Sequence, residues 1–153
     1  MNGMPETNDA LIQRVRIAVY GAIEATGNAP SAAELARDHG LEPAAVEDAY
    51  RALADAHVIV LQPGTAEINW AAPFSAVPTG FHVRAGRSSW FAPCAWDAFG
   101  IPAAIDVDAR IEAVCGWSNE PIPCGVEFGR AYGDAVVHLL VPAAHFWDDI
   151  AYT

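Results

Sequence analysis

Apolar side chains recur at helical spacing through the first third of the chain. Leu11, Val15, Ala18 and Ala22, with Val19 and Ile23 beside them, place one stripe along a helix over residues 8–26, which Gly27 and Asn28 end. Ser31-Ala-Ala-Glu34 then has the form of a capping box, in which hydroxyl and carboxylate each satisfy an orphan backbone N–H, and Gly40 supplies the C-terminal stop. Pro43 suits the first turn of a third helix reaching about Ala56, with Val46, Tyr50 and Leu53 as its apolar stripe. The pattern next shifts to strand-like runs, His57-Val-Ile-Val-Leu61 and Ala66-Glu-Ile-Asn-Trp70, around the turn Pro63-Gly64. Three helices and a two-stranded wing predict a winged-helix-like module over residues 1–78, with Met1 to Thr7 too polar to pack.

Pro73, Pro78 and Gly80 mark a linker, and the pattern beyond it differs. Phe81–Arg84, Arg110–Val114, Val126–Phe128 and Ala135–Val141 are short β-prone runs separated by Gly and Pro, with a helical candidate from about Cys94 to Ile105. The chain therefore reads as α+β: a helical module, then residues 79–153 as a mostly antiparallel sheet carrying one short helix. Ile150-Ala-Tyr-Thr153 has the look of a further strand beginning.

Charge narrows the functions. The chain has 8 basic and 19 acidic residues, a formal net charge of −11, and every basic residue is an arginine. Phosphate recognition needs clustered cations, so nucleic acid and anionic membrane surfaces are excluded as expected partners. The third helix, where a winged helix would read DNA, carries Glu47, Asp48 and Asp55 against the single cation Arg51. The N-terminus lacks the cationic start and apolar run of a secretion signal, and no apolar stretch is long enough to span a bilayer. The expectation is a cytoplasmic protein whose three cysteines are reduced, an odd number that leaves at least one thiol free. No Gly-rich phosphate loop and no serine nucleophile elbow is present.

Candidate chemistry concentrates in Ser89-Trp-Phe-Ala-Pro-Cys-Ala-Trp-Asp-Ala-Phe-Gly-Ile-Pro102. Pro93 places Cys94 at the start of the following helix, and Asp97, three residues on, shares its face. Unpaired N–H groups and the positive end of the helix dipole favour thiolate there, whereas an ionised Asp97 opposes it, so the two groups titrate as a pair. Within an aromatic shell of Trp90, Phe91, Trp96 and Phe99, such a pair suits a soft-metal ligand beside an acid. Spacing alone favours an inert buried cysteine with Asp97 as a helix-internal hydrogen-bonding residue.

Cys94-Ala-Trp-Asp97-Ala-Phe-Gly-Ile-Pro102, followed by Ala109-Arg-Ile-Glu-Ala-Val-Cys115 and preceded by Trp90-Phe91, resembles the core signature of the alkylmercury lyases (organomercurial lyases). The resemblance implies that Cys94 and Asp97 are catalytic, Cys94 as the first mercury ligand and Asp97 as the acid/base. It implies protonolysis of a carbon–mercury bond, giving a hydrocarbon and inorganic mercury. The partners would be a small organomercurial and small thiols, with no bound cofactor and an external thiol as co-substrate for mercury release. A non-catalytic mercury-binding or sensing protein on the same scaffold is the other reading. The family's second catalytic cysteine follows a segment like Val141–Thr153, and no cysteine stands in that segment here. The chain thus reads either as shortened at its C-terminal end or as using another ligand.

Cys115 and Cys124 are the available substitutes. Cys115 matches a position that is structural in the family and is expected in the core. Cys124, in the turn-rich stretch Glu120-Pro-Ile-Pro-Cys-Gly125, is expected to be partly exposed and is the candidate additional metal ligand. The two lie nine residues apart across a hairpin, a spacing open to a redox or metal pair but unlike a zinc knuckle. Among the histidines, His138 is expected inside an apolar strand, His145 in a surface cluster with Asp148 and Asp149, and His82 at the border of the site. His39 and His57 fall at a helix end and a strand start.

Overall fold

The computed structural model describes residues 8–150. The readings made for Met1–Thr7 and for residues 151–153 lie outside the described residues. Four α-helices are present among the described residues: α1 (Asn8–Thr26), α2 (Ala32–His39), α3 (Pro43–Asp55) and α4 (Ala95–Ile105). Eight strands form one sheet: β1 (Val60–Leu61), β2 (Ile68–Ala71), β3 (Phe74–Ser75), β4 (His82–Ala85), β5 (Ser88–Phe91), β6 (Ala109–Val114), β7 (Pro121–Glu127) and β8 (Arg130–Tyr132). Their order is β1-β2-β3-β5-β4-β6-β7-β8, and all pairings are antiparallel. The α+β architecture expected from the pattern is the one found.

Local chemistry explains the helical front. Val15, Val19 and Ile23, one turn apart, are fully buried on α1, and Val46, Tyr50 and Leu53 meet them from α3. Each such aliphatic side chain contributes roughly 1.5–3 kcal/mol relative to exposure. The capping box of α2 is formed: Ser31 Oγ accepts from the Glu34 N–H, and the Glu34 carboxylate accepts from the Ser31 N–H at 2.9 Å. Gly40 closes the helix in the left-handed conformation at φ 64°. On α3, Arg51 is held by Glu47 at 2.9 Å and Asp48 at 3.0 Å, so acidic neighbours occupy its guanidinium.

The β1–β2 hairpin continues through β3 into β5, so the front half and the rear half share a sheet. Cross-strand registers set its two faces. Val83, Trp90, Ile111 and Cys124 form one row, and all four are buried. Phe91, His82 and Glu112 form the other row, with the His82 ring stacked on Phe91 at 4.6 Å and bonded to Glu112 at 3.2 Å. α4 packs over β4, β6 and β7, with Ala98, Ile101 and Pro102 turned into the core.

The rear of the chain departs from expectation. Residues 135–141, predicted as an apolar strand, pair with no strand among the described residues, and 135–140 lie exposed, Val136 at 93%. His138, expected inside that strand, is exposed with it. β-propensity is a preference for a pleated, half-buried surface, and β8 offers this run no such surface. A 3-10 helix over Ala143–Asp148 follows, with His145 bonded to Asp148 at 2.9 Å and Trp147 stacked on His57 at 4.1 Å. No helix among the described residues is long and apolar enough to cross a membrane.

Candidate active site

Two attachments deliver the chain to Cys94. The indole N–H of Trp90 on β5 donates to the carbonyls of Ile23 and Glu24, each at 3.0 Å, at the end of α1 where helix carbonyls lack partners. Gly27 then passes so close to β5 that a Cβ would sit 2.5 Å from the Ser89 carbonyl oxygen, and its φ of +75° also favours glycine. Sequence reasoning placed Trp90 in an aromatic shell and Gly27 at a helix end. It missed that the pair dock the helical front on the strand entering the site. No local pattern signalled this, since Trp90 stands beside a second aromatic, Phe91, and its partners are distant in sequence.

Cys94 is the N-cap of α4, in extended conformation (φ −146°, ψ 177°), one residue before the expected first helical turn. Its sulfur accepts the Asp97 N–H at 3.5 Å, as a capping oxygen would. The same sulfur donates to Asp97 Oδ2 at 3.1 Å. The thiol and the carboxyl group predicted to be neighbours are therefore in direct contact, and both are half-buried.

Burial sets the electrostatics. It pushes the Cys94 thiol above the ordinary thiol range, more strongly than the Asp97 and Trp96 N–H groups pull it down, while the hydrogen bond to the Asp97 carboxylate and its charge push the same way as burial. The helix entrance alone therefore does not yield the thiolate that the sequence argument favoured. Burial also raises Asp97, partly offset by the thiol hydrogen bond it accepts. Thiol and carboxyl group thus share one hydrogen bond, an arrangement from which one group can hand a proton to the other.

The surroundings differ from a closed aromatic shell. Trp90 is buried and Phe91 and Phe99 are half-buried, but Trp96 is 72% exposed, because its position on α4 points away from the sheet. Two surface concavities, of about 530 and 470 Å³, lie along α4 with β7–β8 and along β6–β7, and neither includes Cys94 or Asp97.

The other cysteines exchange their expected environments. Cys124 is buried, because its register opposite Ile111 turns it to the inner face, and burial raises its thiol. Cys115 sits beyond the last β6–β7 pair, where the Ser118 N–H and hydroxyl and the Trp117 N–H hold its thiol below the ordinary range. All three are free thiols. No cluster of three or more His, Cys, Asp or Glu able to hold a metal ion occurs among the described residues. His82 lies in the row beside Phe91, and nothing joins His39, His57, His138 or His145 to Cys94.

No curated protein matches the chain. Among solved structures, the mercury-bound form of MerB2 superposes with a TM-score of 0.60 at 22% identity, over 82% of this chain and 63% of that one. The likeness is one of fold, and this chain spans less than two-thirds of that protein's length. A family model is more specific: the alkylmercury lyase model matches residues 74–153, which take in β3, the strands of the rear sheet and the whole Cys94–Asp97 segment. Since that match runs over more than half of the sequence, the chain belongs to the alkylmercury lyase family.

Proposed function

We propose that the protein cleaves carbon–mercury bonds by protonolysis, with Cys94 as the attacking sulfur and Asp97 as the proton carrier. The observation that carries this reading is the 3.1 Å contact between Cys94 Sγ and Asp97 Oδ2 at the entrance of α4. Residues 79–153 are the reacting domain in this reading, and residues 1–78 are its support.

The chemistry balances as follows. A mercury atom approaching Cys94 strongly acidifies the thiol, because a coordinated sulfur holds its proton poorly. Asp97 accepts that proton as the sulfur–mercury bond forms and the organomercurial's original anionic ligand departs. An external thiolate then adds to mercury as a second soft ligand. The carbon–mercury bond breaks with its electron pair left on carbon, and Asp97 returns the proton to that carbon. The hydrocarbon leaves, mercury(II) remains between two sulfurs, and the carboxylate is regenerated. A half-buried carboxyl group with a raised proton affinity suits the role of a general acid.

The test is release of hydrocarbon from an organomercurial in the presence of excess small thiol. Cys94→Ser and Asp97→Ala are expected to abolish or nearly abolish release. A protein that takes up mercury stoichiometrically and releases no hydrocarbon is a binding or sensing protein instead. One observation favours that second reading. Of the other two sulfurs, Cys124, the candidate additional ligand, is buried under α4's side of the sheet, and Cys115 ends a strand.

A further inference from the structure

We propose that Thr79 is a positioning residue for Cys94, its hydroxyl clamping the backbone two residues before the thiol. The inference rests on the reading of Cys94 as the reacting sulfur. Thr79 lies between β3 and β4, in a segment with no regular structure, and no sequence pattern marks it out. Its Oγ1 donates to the Ala92 carbonyl at 2.6 Å. The Phe81 carbonyl lies farther off, at 3.3 Å. A hydroxyl has one proton, and the shorter contact takes it. Thr79 Oγ1 also accepts the Phe81 N–H at 3.2 Å, and the Ala92 N–H donates to the Phe81 carbonyl at 3.0 Å. The Ala92 residue is fully buried, so both its backbone groups are held by the turn that Thr79 organises.

Geometry carries that constraint to the sulfur. The Ala92 carbonyl shares its rigid peptide plane with the nitrogen of Pro93. The Pro93 ring then fixes the next φ near −65°. A single soft backbone torsion, ψ of Pro93, separates the clamped plane from the peptide plane that enters Cys94. Holding the carbonyl therefore fixes the direction from which the chain enters Cys94, and the φ and χ1 of Cys94 then complete the extended N-cap placement in which its sulfur meets both the N–H and the carboxylate of Asp97. Removing the hydroxyl frees the plane to rotate toward other donors, and the sulfur moves with it.

The experiment compares Thr79→Val, which keeps the shape and loses the donor, with Thr79→Ser, which keeps the donor. Two quantities are read: kcat and KM for hydrocarbon release with excess thiol, and the pH midpoint of Cys94 alkylation by iodoacetamide, followed on the Cys94 peptide by mass spectrometry. Thr79→Val is expected to lower kcat about tenfold or more with KM within about twofold, the signature of a misplaced reacting group. The alkylation midpoint moves down toward that of an ordinary thiol as the sulfur leaves its buried contact with Asp97. Thr79→Ser keeps both close to wild type. A Thr79→Val protein with wild-type kcat or an unmoved midpoint overturns the proposal. So does a Thr79→Ser protein as impaired as Thr79→Val, since the lost methyl group would then be the cause. If Thr79→Val fails to fold, Thr79→Ala, which leaves room for water at the Ala92 carbonyl, takes its place in the same comparison. A wild-type protein that releases no hydrocarbon defeats the lyase reading alone, and the midpoint by itself then decides the role of Thr79.

Discussion

Cys94 and Cys115 each accept hydrogen bonds from backbone N–H groups, yet their thiols move in opposite directions. Cys115 stands at the end of β6 beside an exposed turn, where the Ser118 N–H and hydroxyl and the Trp117 N–H act on a sulfur close to water, and its thiol falls below the ordinary range. Cys94 caps a helix, the position usually credited with activating sulfur, but burial outweighs the N–H groups there and the Asp97 carboxylate adds to burial. Donors lower a thiol only where they exceed the cost of desolvating the thiolate. Under the proposed protonolysis the more acidic cysteine is the less suited of the two. Cys115 has no carboxyl group hydrogen-bonded to its sulfur, the Glu120 charge acting on it only through space, whereas the Cys94 sulfur donates directly to Asp97.

The largest expected effect breaks the Cys94 side of this contrast. Asp97→Asn keeps the side-chain shape and the backbone N–H but removes the charge. Hydrocarbon release should fall about a hundred- to ten-thousand-fold, the usual contribution of a positioned acid/base. The Cys94 alkylation midpoint should fall as well, because two influences that raise the thiol, the carboxylate's hydrogen bond and its charge, are gone. Slower release together with faster alkylation separates loss of the proton carrier from loss of the nucleophile. A variant with both unchanged would show that the carboxyl group is a bystander.

A smaller effect is expected from loosening the helix that buries the pair. Ile101 is fully buried on α4, one turn beyond Asp97. Ile101→Ala should destabilise the fold by about 2–4 kcal/mol, measured by urea unfolding, with a cavity under α4. Because burial is the foremost cause of the raised Cys94 thiol, its midpoint should drop while that of Cys115 stays in place. Equal shifts at both sulfurs would mean general opening of the chain, not local exposure.

How far the sequence foretold all this depends on the range of the signal. The helices α1 to α3, the capping box of Ser31 and Glu34 and the meeting of Cys94 with Asp97 were legible, because each is written within about one helical turn. The family resemblance was legible because residues 89–115 carry it in one continuous segment, which the matched family model includes. What escaped depends on partners distant in sequence. Cys124 is inward because its strand is registered against Ile111, and no local composition reports a register. Ala135–Val141 has the residues of a strand, but no neighbouring strand pairs with it. Trp90 holds α1 through carbonyls 66 and 67 residues away. The balance at Cys94 was misjudged because a helix start is visible in sequence, whereas its depth beneath the surface is not.

The finest test acts on the Cys115 side. Ser118 contributes through its backbone N–H and its hydroxyl, and only the hydroxyl is removable by Ser118→Ala. The same hydroxyl accepts the Glu120 N–H at 3.4 Å and lies 3.1 Å from the Glu120 carboxylate, which competes with the Cys115 sulfur for its one proton, but Ser118 and Glu120 are exposed, so water replaces the lost contacts and stability should change by less than about 0.5 kcal/mol. With one lowering influence gone, the Cys115 thiol should rise, and its alkylation at neutral pH should slow by the fall in thiolate fraction. Cys94, which shares none of these groups, should keep its midpoint and the protein its rate of hydrocarbon release. A slower release in Ser118→Ala would instead tie Cys115 to the turnover of mercury, and the division of labour between the two sulfurs would have to be redrawn with Cys115 as a ligand.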